Sequence, residues 1–264
     1  MRADGKILVS RHSGFNRIVL TENFEGLRTL RFSDSGPCQS IVKLGDPEHL
    51  ALAYTKVLVQ GFAFVENPKR ILVLGLGGGT LPYLFHTIFQ NAQVDVVEID
   101  PDVLAVAREF CGFVESERLR VHLEDARDFI ECHQGCYDVI VLDCFGAEFI
   151  PQHLLTSEFL KEVHNSLAPG GIAVANVWGR TDNRLYERML RTYRAEFNEV
   201  FVLDVPGAGT KVFVALTFHE GRTHAELLER MLAIPIRRSP LDAPVRFRNS
   251  DHETLQDDGS VLRD

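Results

Sequence analysis

With 264 residues, 45% of them apolar and 25% charged, the chain is long enough to bury a sizeable core and ordinary enough in composition to exclude wholesale disorder. A formal net charge of -9 at pH 7 argues against general nucleic-acid binding and favours cationic partners. No uninterrupted apolar run approaches the ~20 residues of a membrane span, no basic-then-apolar leader pattern stands at the start, and the cysteines at 38, 111, 132, 136 and 144 form no disulfide framework; a cytoplasmic protein without a membrane association is expected.

Taken in order, Lys6 to Ser10, Phe15 to Thr21 and Leu27 to Phe32 are short alternating or β-branched runs separated by Ser-Gly, Glu-Gly and Ser-Gly-Pro turns. They predict a small antiparallel β-unit over residues 1–45. Asp46-Pro47-Glu48 combines a cap, a first-turn proline and an acid, predicting a helix that starts there with Leu50, Tyr54, Val57 and Leu58 on its apolar face. From Arg70 onward strand and helix patterns alternate. Strands are read at Ile71–Leu74, Val94–Glu98, Leu119–Leu123, Tyr137–Asp143 and Ile172–Val177, with helices beginning near Leu81, Pro101, Asp125 and Thr156 and another around Leu185–Phe197. Val200–Val205 and Lys211–Phe218 are close enough to pair antiparallel at one edge. The expected fold class is α/β: a doubly wound, mostly parallel, Rossmann-like sheet of seven strands over residues 46–235. The stretch 236–264, rich in Pro, Asp, Ser and Arg, is expected as a loose tail.

The organising stretch is Arg70-Ile-Leu-Val-Leu-Gly-Leu-Gly-Gly-Gly-Thr-Leu-Pro82. It reads as strand, glycine turn, helix, a layout that lets backbone approach a ligand and aims a helix N-terminus at it. A dinucleotide fingerprint needs Gly-x-Gly-x-x-Gly/Ala, and the third position here is Thr80. The spacing Gly75-x-Gly77-x-Gly79 is instead that of class I methyltransferase-fold proteins around a sulfonium nucleoside, so Gly75, Gly77, Gly78, Gly79 and Thr80 are cofactor-site candidates. Glu98, about 20 residues beyond the turn, is placed to accept both ribose hydroxyls. Asp100-Pro101 reads as a helix cap. Asp125, in Glu124-Asp125-Ala126, either accepts the adenine amine or caps the helix that follows.

Asp143 ends the apolar strand Val139-Ile-Val-Leu142 and is therefore partly desolvated at the crevice. It is the candidate to orient an amine acceptor and take its proton. Cys144 beside it has no activating histidine, so covalent catalysis is not expected. Cys132-His133 and Cys136 are spaced too irregularly for a metal, and no metal is expected.

The chain resembles the spermidine/spermine synthase-like proteins over about residues 14 to 218. The matching pieces are Gly14-Phe-Asn-Arg-Ile, Gln39-Ser40, Leu52-Ala-Tyr-Thr55, Leu76-Gly-Gly-Gly-Thr80, Val97-Glu-Ile-Asp100, Glu124-Asp-Ala126 and Tyr137-Asp-Val-Ile-Val-Leu-Asp143. The resemblance implies a small N-terminal β-unit before a methyltransferase-fold domain. It also implies cofactor contacts from Glu98, Asp125 and Ala126, and catalytic roles for Tyr54 and Asp143. Departures fall where aminopropyl transfer is decided. Thr80 stands where the family's aminopropyltransferases have an aspartate, Gly146 where they have a second acceptor-side aspartate, Thr55 in place of a histidine and Asn16 in place of a glutamine.

An acid at position 80 would repel the carboxylate of S-adenosylmethionine, whereas a threonine and helix N-terminal amides accept it. The expected function is therefore methyl transfer from S-adenosylmethionine to a small amine or a protein amine. The mouth of the site is expected from Tyr54, Asp143 and the loop Phe145 to Pro151. The rival readings are a polyamine aminopropyltransferase using decarboxylated S-adenosylmethionine and a non-catalytic nucleoside-binding or dimerisation module. The layout also leaves room for a homodimer through the N-terminal β-unit.

Overall fold

The computed structural model describes residues 5–144, 150–237, 246–255 and 259–264. Four antiparallel strands come first: β1 (Lys6–His12), β2 (Arg17–Glu22), β3 (Leu27–Arg31) and β4 (Cys38–Lys43), adjacent in sequence order. The Asn23 side chain accepts the amides of Glu25 and Leu27, and Gly26 at φ 74° completes the turn between β2 and β3. Sequence reading predicted three strands. β4 escaped it because Cys38-Gln-Ser starts with no β-branched residue and no clean alternation.

The helix predicted to start at Asp46-Pro47-Glu48 begins later. Residues 46–49 form a turn closed by the His49 amide on the Asp46 carbonyl at 3.1 Å. Glu48 accepts the amide of Arg237 at 2.6 Å instead of serving a helix end. Helix α1 runs Ala53–Gln60 with Leu52 at its N-cap. Leu50, Val57 and Leu58 are buried, as the apolar face requires.

The main unit then alternates β5 (Arg70–Leu74), α2 (Thr80–Ile88), β6 (Gln93–Glu98), α3 (Pro101–Phe110), β7 (Leu119–Leu123), α4 (Ala126–Glu131), β8 (Tyr137–Leu142), α5 (Ser157–Ser166) and β9 (Leu167–Trp178). After α6 (Tyr186–Glu196) come β10 (Glu199–Asp204), β11 (Thr210–Leu216), α7 (His224–Leu232) and the two-residue β12 (Arg248–Asn249). The sheet order is β12-β10-β11-β9-β8-β5-β6-β7. β9, β8, β5, β6 and β7 are parallel, while β11 and β10 run antiparallel at one edge. The seven predicted strands are thus present, and β12 adds an eighth.

Helices cover both faces, so the central strands are apolar throughout: Ile71 to Leu74 are wholly buried. Phe62, Phe85 and Val139 belong to the core on one face, and Leu72, Phe129, Ile140 and Phe159 to that on the other. The chain steps outward from β5 to β6 and β7, then returns to β8 on the other side of β5. This reversal opens a crevice at the carboxyl ends of β5 and β8. The N-terminal sheet packs Ile18, Leu20, Leu30 and Phe32 against Val103, Val106 and Cys111 on and just beyond α3, which holds it beside that crevice.

The tail predicted to be loose is tied down in its described parts. β12 pairs with β10, and the Ser157 amide donates to the Leu262 carbonyl at 2.8 Å. Asp264 receives Arg127 at 2.7 Å and Thr156 at 2.8 Å. Polar composition misled here because these contacts are long-range, those of Asp264 being charge-assisted, with no local periodicity to read. Among the described residues no helix is long and apolar enough to cross a membrane.

Candidate active site

A cavity of about 590 Å³ lies at the carboxyl ends of β5, β6, β8 and β9, and the N-terminal sheet walls it through Asn16, Phe32 and β4. Its floor is the glycine turn. Gly75, at φ 97°, lets the end of β5 touch the end of β8: a Cβ there would sit 2.5 Å from the Asp143 carbonyl oxygen. Gly75, Gly77 and Thr80 line this cavity.

Gly78 and Gly79 do not. They line a neighbouring cavity of about 240 Å³ with Val42, Lys43 and Phe113. A Cβ on Gly79, at φ 80°, would meet Phe113 at 2.4 Å. Half of the glycine run therefore serves packing between the turn, β4 and the end of α3, a role that glycine spacing cannot distinguish from ligand approach. Thr80 begins α2, but its hydroxyl lies 3.1 Å from Ser40 Oγ and 3.4 Å from the Ile41 carbonyl of β4, so it is not free to serve only a ligand.

Glu98, buried at the end of β6, accepts the Leu76 amide on Oε2 at 3.0 Å and the Asp100 amide on Oε1 at 2.9 Å. Burial raises its pKa, and these amides pull it back. Asp100 is fully buried and caps α3 by accepting the Asp102 amide at 2.9 Å. Asp125 caps α4 through the Arg127 amide at 2.8 Å, while its second oxygen lies 3.0 Å from His153 Nε2. Asp125 and Ala126 both line the cavity, so Asp125 caps the helix and faces the cavity at once.

Across the cavity, the Asp143 carboxylate accepts Tyr54 Oη on Oδ2 at 3.0 Å and Asn176 Nδ2 on Oδ1 at 3.0 Å. Burial raises the Asp143 pKa, opposed by these two hydrogen bonds. Tyr54 titrates well above the ordinary tyrosine value, first through burial and then through the negative charge of Asp143, so it acts as a donor. Cys144 is raised well above an ordinary thiol by burial and by Glu98, Asp143 and Asp125; it stays protonated and is no nucleophile. Residues 145–149 of the expected mouth loop lie outside the described residues, and Pro151 lines the cavity.

Asn176 was not anticipated. It is 6% exposed, and its Oδ1 has no hydrogen-bond partner among the described residues, although Nδ2 is spent on Asp143. A buried amide oxygen left unpaired costs about 1–3 kcal/mol, which a donor on a bound molecule would recover. The signal was available: one amide inside the otherwise apolar run Ile172-Ala-Val-Ala-Asn-Val177. Asn16, singled out only for replacing the family's glutamine, does line the cavity, while the walls from Phe15 and Trp178 were missed as site residues, since only tertiary packing brings them there. Among the described residues no group of three or more His, Cys, Asp or Glu side chains is arranged to hold a metal ion.

Comparison with known proteins follows the same geometry. The spermine/spermidine synthase domain matches residues 51–214. The polyamine aminopropyltransferase of Vibrio vulnificus (strain CMCP6) is 34% identical over 218 residues, covering 80% of this chain and 72% of that protein. The eEF1A lysine and N-terminal methyltransferase of Homo sapiens is 32% identical over 220 residues; the match takes in 76% of this chain but only 31% of that longer protein. Among solved structures, human methyltransferase-like protein 13 in complex with SAH superposes with a TM-score of 0.66 at 30% identity, covering 71% of this chain and 94% of that chain. A probable spermidine synthase from Corynebacterium glutamicum gives a TM-score of 0.80 at 22% identity over 97% of this chain and 96% of that chain, a likeness of fold.

Proposed function

The chain belongs to the spermine/spermidine synthase domain family and is a transferase, and from that premise we propose that it moves a methyl group from S-adenosylmethionine to an amine acceptor. The observation that carries this reading is the Tyr54–Asp143–Asn176 constellation, set across one cavity from the buried Glu98 carboxylate.

The residues present fit a sulfonium nucleoside. Glu98 is held by two backbone amides with its carboxylate on the cavity, positioned for the ribose hydroxyls. Gly75 and Gly77 leave room for close approach, and Asp125 and Ala126, which line the same cavity, are the residues we assign to the adenine edge. When bound, the cofactor supplies an electrophilic carbon on sulfur. An alkyl amine with a pKa of about 10 arrives protonated. The Asp143 carboxylate attracts it, and Tyr54 and Asn176 keep that carboxylate aimed without reorganisation. Asp143 would take the proton and free the nitrogen lone pair; as the new N–C bond formed, the C–S bond would break and the sulfur would leave as a neutral thioether. The raised pKa of Asp143 makes it a stronger base than an exposed aspartate.

Methyl transfer is preferred because position 80 is a threonine whose hydroxyl is held by β4, which leaves no acid on the glycine turn to bind the ammonium of a decarboxylated cofactor. Relatives of both chemistries match at similar identity, so aminopropyl transfer is the second reading, carried by the Vibrio vulnificus relative. The acceptor proposed is a small amine or an amine on a protein, the latter in keeping with the relative named for lysine and N-terminal methylation. The five cysteines are free thiols, which supports a reducing, cytoplasmic setting.

The test is titration of the purified protein with the two cofactors side by side, followed by mass spectrometry of products from putrescine and from a lysine-containing peptide with a free N-terminus. Tighter binding of S-adenosylmethionine and a gain of one methyl support the proposal. Tighter binding of the decarboxylated form with an aminopropylated product selects the second reading, and binding without turnover of either amine leaves a non-catalytic module.

A further inference from the structure

Asp100 is wholly buried, and its two oxygens face different parts of the molecule. Oδ1 caps α3, but Oδ2 accepts a 2.5 Å hydrogen bond from Ser13 Oγ, a residue in the turn between β1 and β2. Ser13 has one proton, and the short charge-assisted contact to Asp100 takes it in preference to the Asn16 carbonyl at 3.1 Å. The same oxygen then accepts the amides of Phe15 at 3.1 Å and Asn16 at 2.9 Å. Phe15 and Asn16 line the cavity on its N-terminal wall. On the other side, the Asp100 amide donates to Glu98 Oε1. A second tie runs alongside: Arg11 Nη2 donates to the Asp102 carbonyl at 2.8 Å.

Glu98, Asp100, Ser13 and the Phe15–Asn16 turn are therefore joined by hydrogen bonds, from the proposed ribose carboxylate to the N-terminal wall of the same cavity. We infer that Asp100 is a positioning residue that couples two walls of the site: a nucleoside that fixes Glu98 also fixes, through Asp100 and Ser13, the turn carrying Phe15 and Asn16 on the N-terminal wall. The coupling is reciprocal, since whatever orders the turn also favours the nucleoside. Glu98 is two residues before Asp100, and the hairpin lies on α3, so the path is short and every link is a hydrogen bond given above.

This rests on the nucleoside reading of the cavity, and the experiment separates the two. 5′-Methylthioadenosine, which carries the adenosine common to both cofactor forms, is added to the full chain, and amide hydrogen exchange is followed at residues 13–18 and 98–103. In the wild type both segments are expected to become protected. In Ser13→Ala the probe should still bind, weaker by up to the same factor that the coupling contributes, and protect 98–103, while protection at 13–18 falls by roughly tenfold; Ser13→Thr, which keeps the hydroxyl, should restore both. A purely structural Ser13 would loosen 13–18 equally with and without the probe. If Ser13→Ala retains the full probe-dependent protection at 13–18, or if the wild type protects 98–103 alone, the coupling is overturned while the nucleoside site stands. If the wild type shows protection at neither segment, the nucleoside reading itself fails, and the coupling with it.

Discussion

Tyr54 Oη donates a 3.0 Å hydrogen bond to Oδ2 of Asp143, a residue 89 positions further along the chain, and Asn176 occupies the other oxygen of the same carboxylate. Two donors from α1 and β9 thus hold a partly buried acid at the end of β8. A helix cap would bond backbone amides, as Asp100 and Asp125 do. The two donors to the Asp143 carboxylate, Tyr54 and Asn176, are side chains, the arrangement of a group that meets something in the cavity.

Asp143→Asn keeps the shape and removes the charge. Turnover of whichever amine the product assay identifies is expected to fall by ~10²–10⁴-fold, with 5′-methylthioadenosine affinity nearly unchanged. Tyr54→Phe removes one of the two donors and should cost less, about tenfold or so, within the range of a single neutral-to-charged hydrogen bond. Retained activity in Asp143→Asn, measured by single-turnover kinetics, would return Asp143 to a structural role.

The pH dependence follows from the sign of the shift. Burial raises the folded pKa of Asp143 above that of an unfolded aspartate, so the carboxylate is charged only above that raised value. Activity is expected to fall on acidification at a higher pH than an ordinary aspartate would give, and Asp143→Asn should abolish that limb. Stability runs the other way. The folded state favours the neutral acid, so the contribution is fully present below the unfolded pKa and lost as pH rises through the folded one. Asp143→Asn should therefore melt higher than the wild type near neutral pH, because the orphan Asn176 Oδ1 can turn to accept the new amide. Melting curves from pH 4 to 8 test this; a variant that melts lower throughout contradicts it.

Glu98→Gln is expected to weaken 5′-methylthioadenosine binding by ~1–3 kcal/mol, the loss of charge-assisted bonds to two hydroxyls. The fold should feel it too. Both Glu98 oxygens accept backbone amides, from Leu76 and Asp100, and a glutamine must turn its NH2 toward one of them. A lower melting temperature together with weaker binding is the expected pair, read by calorimetry on both proteins. Unchanged affinity would mean that the ribose lies elsewhere.

The parts legible in the sequence were those with local signatures. Positive-φ glycines at a strand end and acids after apolar runs mark Gly75, Gly77, Glu98 and Asp143 as residues meeting in one place, and alternation of periods marks the sheet. The illegible parts are tertiary. Nothing local tells Gly79, pressed on Phe113, from Gly75, pressed on the Asp143 backbone. Nor does anything local place Phe15 and Asn16 on the cavity, because they arrive only after the N-terminal sheet docks on α3. The Asp46-Pro47-Glu48 start signal failed for the same reason: Glu48 was claimed by the distant Arg237 amide.

The proposed choice between the two transfer chemistries rests on position 80, which gives the last prediction. The Thr80 hydroxyl is bonded to β4 and carries no charge, while α2 behind it presents a helix N-terminus that favours anions by about 0.3–1 kcal/mol. A cofactor tail with both ammonium and carboxylate therefore has a partner for the carboxylate, whereas a tail with the ammonium alone has none on the turn. Thr80→Asp places the anion on the protein instead. An aspartate is tolerated in the first turn of a helix, and Ser40 Oγ stands ready to donate to it, so the fold should hold. Binding of S-adenosylmethionine is expected to weaken by roughly tenfold through like-charge repulsion, and binding of the decarboxylated form to strengthen by a similar factor through the new ion pair. Isothermal titration with both cofactors measures the swing. A wild type that already prefers the decarboxylated form, or a Thr80→Asp variant in which the ratio of the two affinities does not move, would mean that the tail does not reach α2, and methyl transfer would lose the argument drawn from this position.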